Sequence, residues 1–396
     1  MKKRFKILIL LTIIAVIVFE IIKHYLLKID LSNHQVLEIE KCPACYGDDL
    51  CSEFIHGNIE LTTNQNFWTS VLFNAKNVYF GLYKGQNVVL KKLAHTDELE
   101  LFDQELCEIT PSVSPKRCDN AARNIRLLAS LWASNHHDSI DYSLLKANIP
   151  PEIETFSCVR SQELIDFLYR KKKHWKAEHF LTLSFVNPEP LIVTAFPYEE
   201  GWPFPKYFGA CGRWSIFEYV GQSLTNYLNN SKKTTISYVT KARLALQVLQ
   251  LAFQMMHNDP ILYLTDWSLD NFAVSKVLEV KLIDLENIVL VNRSMIKIIQ
   301  APGWNIDHHS VAFGCEKEQN CFSYSLEDLC SHSISDHNIF GACQGILLPL
   351  LKDGMPSELQ ANFPLLPRFL QECAWPSYPG GRIEAAEQLI DILKRI

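Results

Sequence analysis

All twelve cysteines of this 396-residue chain (Cys42, Cys45, Cys51, Cys107, Cys118, Cys158, Cys211, Cys315, Cys321, Cys330, Cys343 and Cys373) lie behind a basic-then-apolar N-terminus. That order limits what the chain can fold into. Lys2, Lys3, Arg4 and Lys6 precede an almost unbroken apolar run from Ile7 to Phe19, which Glu20 interrupts and Ile21–Ile22 and Tyr25–Leu27 continue more weakly. A basic flank followed by an apolar run directs a chain to the secretory membrane with its charged end in the cytosol. The remainder is then lumenal or extracellular, where an even cysteine count reads as up to six disulfides. The run is short for a span of about 20 residues, so a cleaved signal peptide stays open. Nothing after Val18 resembles a small-x-small cleavage site, which favours an uncleaved type II anchor. Cys42-Pro-Ala-Cys45 has the spacing of a redox or zinc motif, but no second such pair completes four zinc ligands. A structural disulfide is the plainer reading. Asn229-Asn-Ser231 and Asn292-Arg-Ser294 are glycosylation sequons if the chain is lumenal.

With 48% hydrophobic residues the chain can bury a real core, which excludes disorder over most of its length. A net charge of −6 gives no global attraction to nucleic acid. The sequence divides into a signal anchor or signal peptide at 1–27, a polar stem and cysteine-rich lead-in at 28–60, a small lobe with a helical insertion at 61–217, and a large lobe at 218–396. Asn77–Leu82 and Asn87–Leu93 read as strands of a hairpin turning at Lys84-Gly85-Gln86. Asp97–Ile109, Asn120–Ala133 and Gln162–Arg170 have helical apolar spacing. The Pro- and Gly-rich stretch 187–213 reads as loop with a brief strand at Leu191–Phe196. Trp214–Val220 is a strand, Tyr238–His257 a long helix, and Ile261–Leu264, Phe272–Val274 and Val280–Ile283 are short apolar runs. Arg170–His174, a basic run, reads as a solvated helix face.

Four separated pieces carry chemistry. Val88-Val89-Leu90-Lys91 is a strand ending in a lysine, whose ammonium can reach phosphate oxygens. Phe217-Glu218-Tyr219-Val220-Gly221 passes from a buried strand through a glycine, a joint whose backbone groups can hold an adenine edge. Asp266 and Asn271 lie five apart on a loop after the long helix; the acid can accept a hydroxyl proton and the amide oxygen can bind a divalent cation. Val280-Lys281-Leu282-Ile283-Asp284-Leu285-Glu286 is a buried hydrophobic strand ending in an acid, where Asp284 can ligate Mg²⁺ or Mn²⁺ through hard oxygen. Each piece alone is as readily a turn, a cap or a surface decoration.

In this order the pieces resemble a protein kinase core. More narrowly, the chain resembles the divergent protein kinase domain 2 family, the deleted-in-autism-1-related secretory-pathway proteins. The resemblance rests on Cys42-Pro-Ala-Cys45, Asn77-Val-Tyr-Phe80, Val88–Leu93, Asn187-Pro-Glu-Pro190, Gly201-Trp-Pro-Phe-Pro-Lys-Tyr207, Gly209-Ala-Cys-Gly-Arg213, Asp270-Asn-Phe-Ala-Val274 and Asp284-x-Glu-Asn287. It implies an α+β, two-lobed, protein-kinase-like, disulfide-bearing fold. It also implies ATP with Mg²⁺ or Mn²⁺ as cofactor, a phosphate lysine at Lys91, adenine contacts at Glu218 and Val220, a catalytic Asp266, and metal ligands at Asn271 and Asp284.

The departures from the kinase pattern are several. No G-x-G-x-x-G precedes Lys91, the H-R-D position reads Leu264-Thr265-Asp266, and the D-F-G position reads Asp284-Leu285-Glu286. The glutamate that would hold Lys91 is Glu98 or Glu105. Glu286 reads either as an extra metal carboxylate or as a surface partner of Lys281. Two functions follow as expectations. One is a phosphotransferase of the Golgi, endoplasmic reticulum or extracellular space, acting on a protein or glycan hydroxyl. The other is a catalytically silent pseudokinase that serves as a lumenal binding module or a secreted signal to a receptor.

Overall fold

The computed structural model describes residues 30–62, 78–108, 121–134, 158, 162–171, 175–230, 236–311 and 323–396. The N-terminal apolar run lies outside them. Among the described residues no helix is long and apolar enough to cross a membrane. They fall into two compact units: those within Met1–Ser130 together with Tyr207–Tyr219, and those within Leu131–Lys206 together with Val220–Ile396.

The first unit is built on a five-stranded antiparallel sheet in the order β1-β2-β3-β5-β4. Its strands are β1 (Ile59–Leu61), β2 (Val78–Tyr83), β3 (Gln86–Lys91), β4 (Tyr207–Cys211) and β5 (Trp214–Glu218). The β2–β3 hairpin turns at Lys84-Gly85, both with positive φ (51° and 74°), the left-handed pair that a two-residue turn needs to match the strand twist. Along β3, Val88 and Leu90 are fully buried in a core with Tyr83, Trp214 and Ile216, so strand alternation puts Val89 and Lys91 on the opposite face. Leu31, Leu37, Leu50 and Phe54 join the same core.

The cysteine-rich segment clamps the β4–β5 hairpin. Cys51 is bonded to Cys211, 160 residues away, and Cys42 to Cys45. Closing a loop of that length removes unfolded-state entropy worth about 5 kcal/mol. Gly212 sits at φ 60° with Arg213 N–H on the Leu37 carbonyl at 2.9 Å, and a Cβ on Gly212 would fall 1.8 Å from that oxygen. Only glycine fits there. Helix α1 (Thr96–Glu108) buries Leu99, Phe102 and Leu106, and also Asp103, which takes Lys41 at 2.8 Å and the guanidinium of buried Arg213.

The second unit is mostly helical: α2 (Ala121–Ser134, whose last four residues belong to it), α3 (Gln162–Lys171), α4 (Ala177–Val186), α5 (Glu189–Ala195), α6 (Leu224–Asn230) and α7 (Tyr238–His257) precede a set of short strands. Ser237 caps α7 by accepting the Thr240 N–H. Ala245, Val248, Leu249, Ala252, Met255 and Met256 recur at i, i+3 and i+4 and form its buried face. That face packs on α8 (His337–Gly341, prolonged through Ala342–Leu347 and Leu348–Leu351) and on α10 (Gly381–Leu393), which follows α9 (Leu366–Ala374). Cys158–Cys330 and Cys343–Cys373 are the disulfides of this unit among the described residues.

The hairpin, the strand at Trp214 and the helices near 97, 120, 162 and 238 form where the sequence puts them. Two expectations within 187–213 are corrected. Leu191–Phe196 is not a strand but most of helix α5. Leu191, Ile192, Val193 and Ala195 are all buried, and a run that is apolar on every side has no period to distinguish helix from strand. Asn187 decides the outcome by accepting the Glu189 N–H at 3.0 Å, and Pro188 and Pro190 are tolerated because the first turn needs no N–H donors. Tyr207–Cys211, read as loop, is strand β4.

Candidate functional site

In the second unit, β7 (Ile261–Leu264) pairs antiparallel with β10 (Ile288–Val291), and β6 (Gln222–Ser223), β8 (Phe272–Val274) and β9 (Val280–Leu282) form a three-stranded sheet. Asp266 and Asn271 lie on the loop from β7 to β8, and Asp284 directly follows β9. Asn271 is buried, and its amide N–H donates to the Asp266 carbonyl at 3.1 Å. The Asn271 carbonyl in turn accepts the Ile283 N–H at 2.8 Å. These two bonds link Asn271 to the backbone of Asp266 and of Ile283, the residue before Asp284. With its N–H on Asp266, the Asn271 amide presents Oδ1 at its other end. An amide oxygen and a carboxylate are each the kind of hard donor that Mg²⁺ or Mn²⁺ prefers.

Val220 begins the second stretch of this unit, and Gly221 follows where a Cβ would meet the Val274 carbonyl oxygen at 1.9 Å. The Ser223 hydroxyl reaches Asp270 at 3.2 Å. Glu286, two residues past Asp284, accepts the side-chain N–H of Asn187 at 3.0 Å. The Lys281 ammonium lies 3.9 Å from the centroid of the Tyr198 ring.

The loop rests on α8. Asn338 donates to the Leu262 carbonyl at 2.7 Å and accepts the Leu264 N–H at 3.1 Å. His337 Nε2 sits 3.1 Å from the Leu264 carbonyl. A carbonyl only accepts, so Nε2 carries the proton and Nδ1 is left facing the Ser310 hydroxyl at 3.4 Å. Trp267, next to Asp266, lies on Gly341 and Gly345 of the α8 segment, one turn apart, and stacks on Phe272.

Burial pushes the His337 imidazole down to about 3, against the pull of the Leu264 carbonyl toward a higher value. The folded group stays neutral while an unfolded histidine takes up a proton below about 6.5. Stability contributed by this residue is complete above that pH. Below about 6.5 it falls as the pH falls toward 3, because the unfolded chain takes up the proton and the folded one does not. Denaturant midpoints measured across that range are expected to decline with acidity in the wild-type chain and to decline less steeply in His337→Gln.

Lys91 and Glu218 belong to the first unit. Lys91 ends β3 in register with Ser215, and its ammonium lies 5.2 Å from the centroid of the Phe217 ring. Glu218 closes β5 opposite Val88, and the next N–H, of Tyr219, donates to the Asn87 carbonyl at 3.3 Å. Of the two glutamates, Glu98 is exposed and accepts the His95 N–H at 2.6 Å, whereas Glu105 is half-buried.

Sequence reasoning missed the partners of this loop. His337, Asn338, Gly341 and Gly345 carried no signal beyond two glycines four apart in an apolar run. Asn187 stood out only within the Asn-Pro-Glu-Pro block.

The profile of a family described as the protein-kinase domain of FAM69 matches residues 180–376, the stretch that holds β4 to α9 and the whole loop. Divergent protein kinase domain 2A of Homo sapiens is 32% identical over 93% of this chain and 89% of its own length, and its Xenopus tropicalis counterpart matches to the same extent. Divergent protein kinase domain 2B of Homo sapiens is 24% identical over 90% of this chain and 82% of its own length. The chain belongs to the divergent protein kinase domain 2 family. Its fold is kinase-like and α+β, and it carries disulfides. Glu286 is engaged by a side chain 99 residues away.

Proposed function

We propose that this chain is a kinase-like protein of the secretory pathway that transfers phosphate from ATP to a protein or glycan hydroxyl. In this reading Lys91 contacts phosphate oxygens, and the backbone at Glu218 and Val220 receives the adenine edge. Asp266 accepts or orients the hydroxyl proton of the substrate, and Asn271 and Asp284 hold Mg²⁺ or Mn²⁺. Glu105 is assigned to Lys91, because Glu98 spends its carboxylate on the start of its own helix. The divalent ion, when bound, supplies positive charge beside the phosphates. Phosphoryl transfer is mainly positioning and electrostatics, so these groups suffice without the missing glycine loop.

The observation that carries the proposal is the double use of Asn271, whose side chain bonds the Asp266 backbone while its own carbonyl bonds the residue before Asp284. Disulfides in both units support the secretory assignment, since such bonds persist in oxidising compartments. A second reading, a silent pseudokinase that binds a lumenal partner or a receptor, is favoured by Leu264-Thr265 before Asp266 and by Glu286 in place of the hinge glycine.

Thermal unfolding with and without ATP and Mn²⁺ separates the two readings. Nucleotide and metal at a hundredfold excess over Kd are expected to stabilise the chain by about 2.7 kcal/mol. Asp284→Ala is expected to abolish that gain. Phosphate transfer to a lumenal protein or glycan preparation, lost in Asp266→Asn, then distinguishes enzyme from binder. No stabilisation by any nucleotide–metal pair would remove the phosphotransferase reading and leave the pseudokinase standing.

A further inference from the structure

We propose that Glu286 is a second carboxylate ligand of the metal held at Asp284 and that Asn187 is the residue that positions it. The inference rests on the metal-binding reading above and extends it. Asp284 and Glu286 flank Leu285, which is fully buried, so the segment is anchored between two half-buried acids that stay within reach of solvent.

Asn187 is well fitted to hold one of them. It is 3% exposed, and both ends of its side chain are committed: Oδ1 accepts the Glu189 N–H at 3.0 Å and Nδ2 donates to Glu286 at 3.0 Å. Its own backbone N–H donates to the Leu183 carbonyl at 3.0 Å, which closes α4. The amide is thus locked in one rotamer at the junction of α4 and α5. An amide donor fixes a carboxylate's direction without cancelling its charge. A ligand carboxylate needs that of its outer hydrogen-bond partner, and loss of such partners typically costs 10- to 100-fold in metal affinity. The Asn187-Pro-Glu-Pro190 block also gains a role: the prolines start α5, and the turn they begin sets the amide facing Glu286.

Mn²⁺ titration of the full chain in saturating ATP, read as a dissociation constant by calorimetry, tests this. Glu286→Gln keeps the shape and the acceptor for Asn187 and is expected to weaken Mn²⁺ at least tenfold. Asn187→Ala is expected to weaken it about tenfold alone, and to add nothing in the Glu286→Gln background, because it acts through that carboxylate. A merely structural clasp would lower the metal-free melting temperature and leave the Mn²⁺ constant unchanged. That result overturns the inference while the reading of Asp284 survives. Wild-type chain that binds no Mn²⁺ with ATP removes both. Should Asn187→Ala fail to fold, Asn187→Ser and the isosteric Glu286→Gln carry the same comparison.

Discussion

Arg213→Ala is expected to destabilise the first unit by about 3–5 kcal/mol, because it leaves the Asp103 carboxylate buried with much of its compensation gone. Arg213 is 1% exposed. Its guanidinium donates to Asp103 and to the Ala44 carbonyl at 3.2 and 3.3 Å, and lies 3.6 Å from Glu38. One side chain therefore joins α1, the β4–β5 hairpin and the cysteine-rich segment. Lys41 still reaches Asp103 at 2.8 Å, but its side chain is 42% exposed and keeps much of its hydration, so it replaces the lost charge incompletely. Chemical unfolding followed by circular dichroism measures the loss. Replacing both partners, Arg213→Met with Asp103→Leu, is expected to recover most of it, since no bare charge is then left inside. A single-variant loss below about 1 kcal/mol would show that the pair contributes little.

Gly341→Ala is expected to push Trp267 from its seat and to cost about 1–3 kcal/mol or more, the range for overfilling a packed core. A Cβ at Gly341 would come 2.1 Å from the Trp267 ring, and one at Gly345 would come 2.3 Å from the Trp267 carbonyl oxygen. The second clash is with backbone and cannot be relieved by a rotamer change. Trp267 is 5% exposed, and its indole N–H has no partner among the described residues, so packing alone holds it. Trp267→Ala by itself is expected to cost about 3–5 kcal/mol. In that background Gly341→Ala should become nearly neutral, whereas Gly345→Ala should remain costly. Unfolding free energies of the four chains close the cycle, and additive losses at Gly341 and Trp267 would refute the steric account. Because Trp267 adjoins Asp266, Gly341→Ala should also weaken the ATP–Mn²⁺ stabilisation.

Much of this organisation was legible along the chain. The Lys84-Gly85 turn, the strand at Val88–Lys91 and the long helix at Tyr238–His257 are local patterns. A few neighbouring residues fix each of them, and the structure follows them closely. Asp266, Asn271 and Asp284 stand out as candidates for a related reason: they are acids and an amide at the ends of short apolar runs. The run at Leu191 misled because burial on all sides erases periodicity, and the Asn187 cap that settles it is a single side-chain hydrogen bond.

What the chain alone determined is the set of elements, their order and the polar residues that could do chemistry, since each depends on contacts within a turn or a strand. Tertiary structure decided the partners: Asn187 with Glu286, Arg213 with Asp103, Asn338 with β7, Trp267 with Gly341 and Gly345, and Cys51 with Cys211. Those bonds join residues 74 to 160 positions apart. At such separations spacing along the chain carries no information about proximity, and only the packing of whole helices and sheets sets which side chains meet.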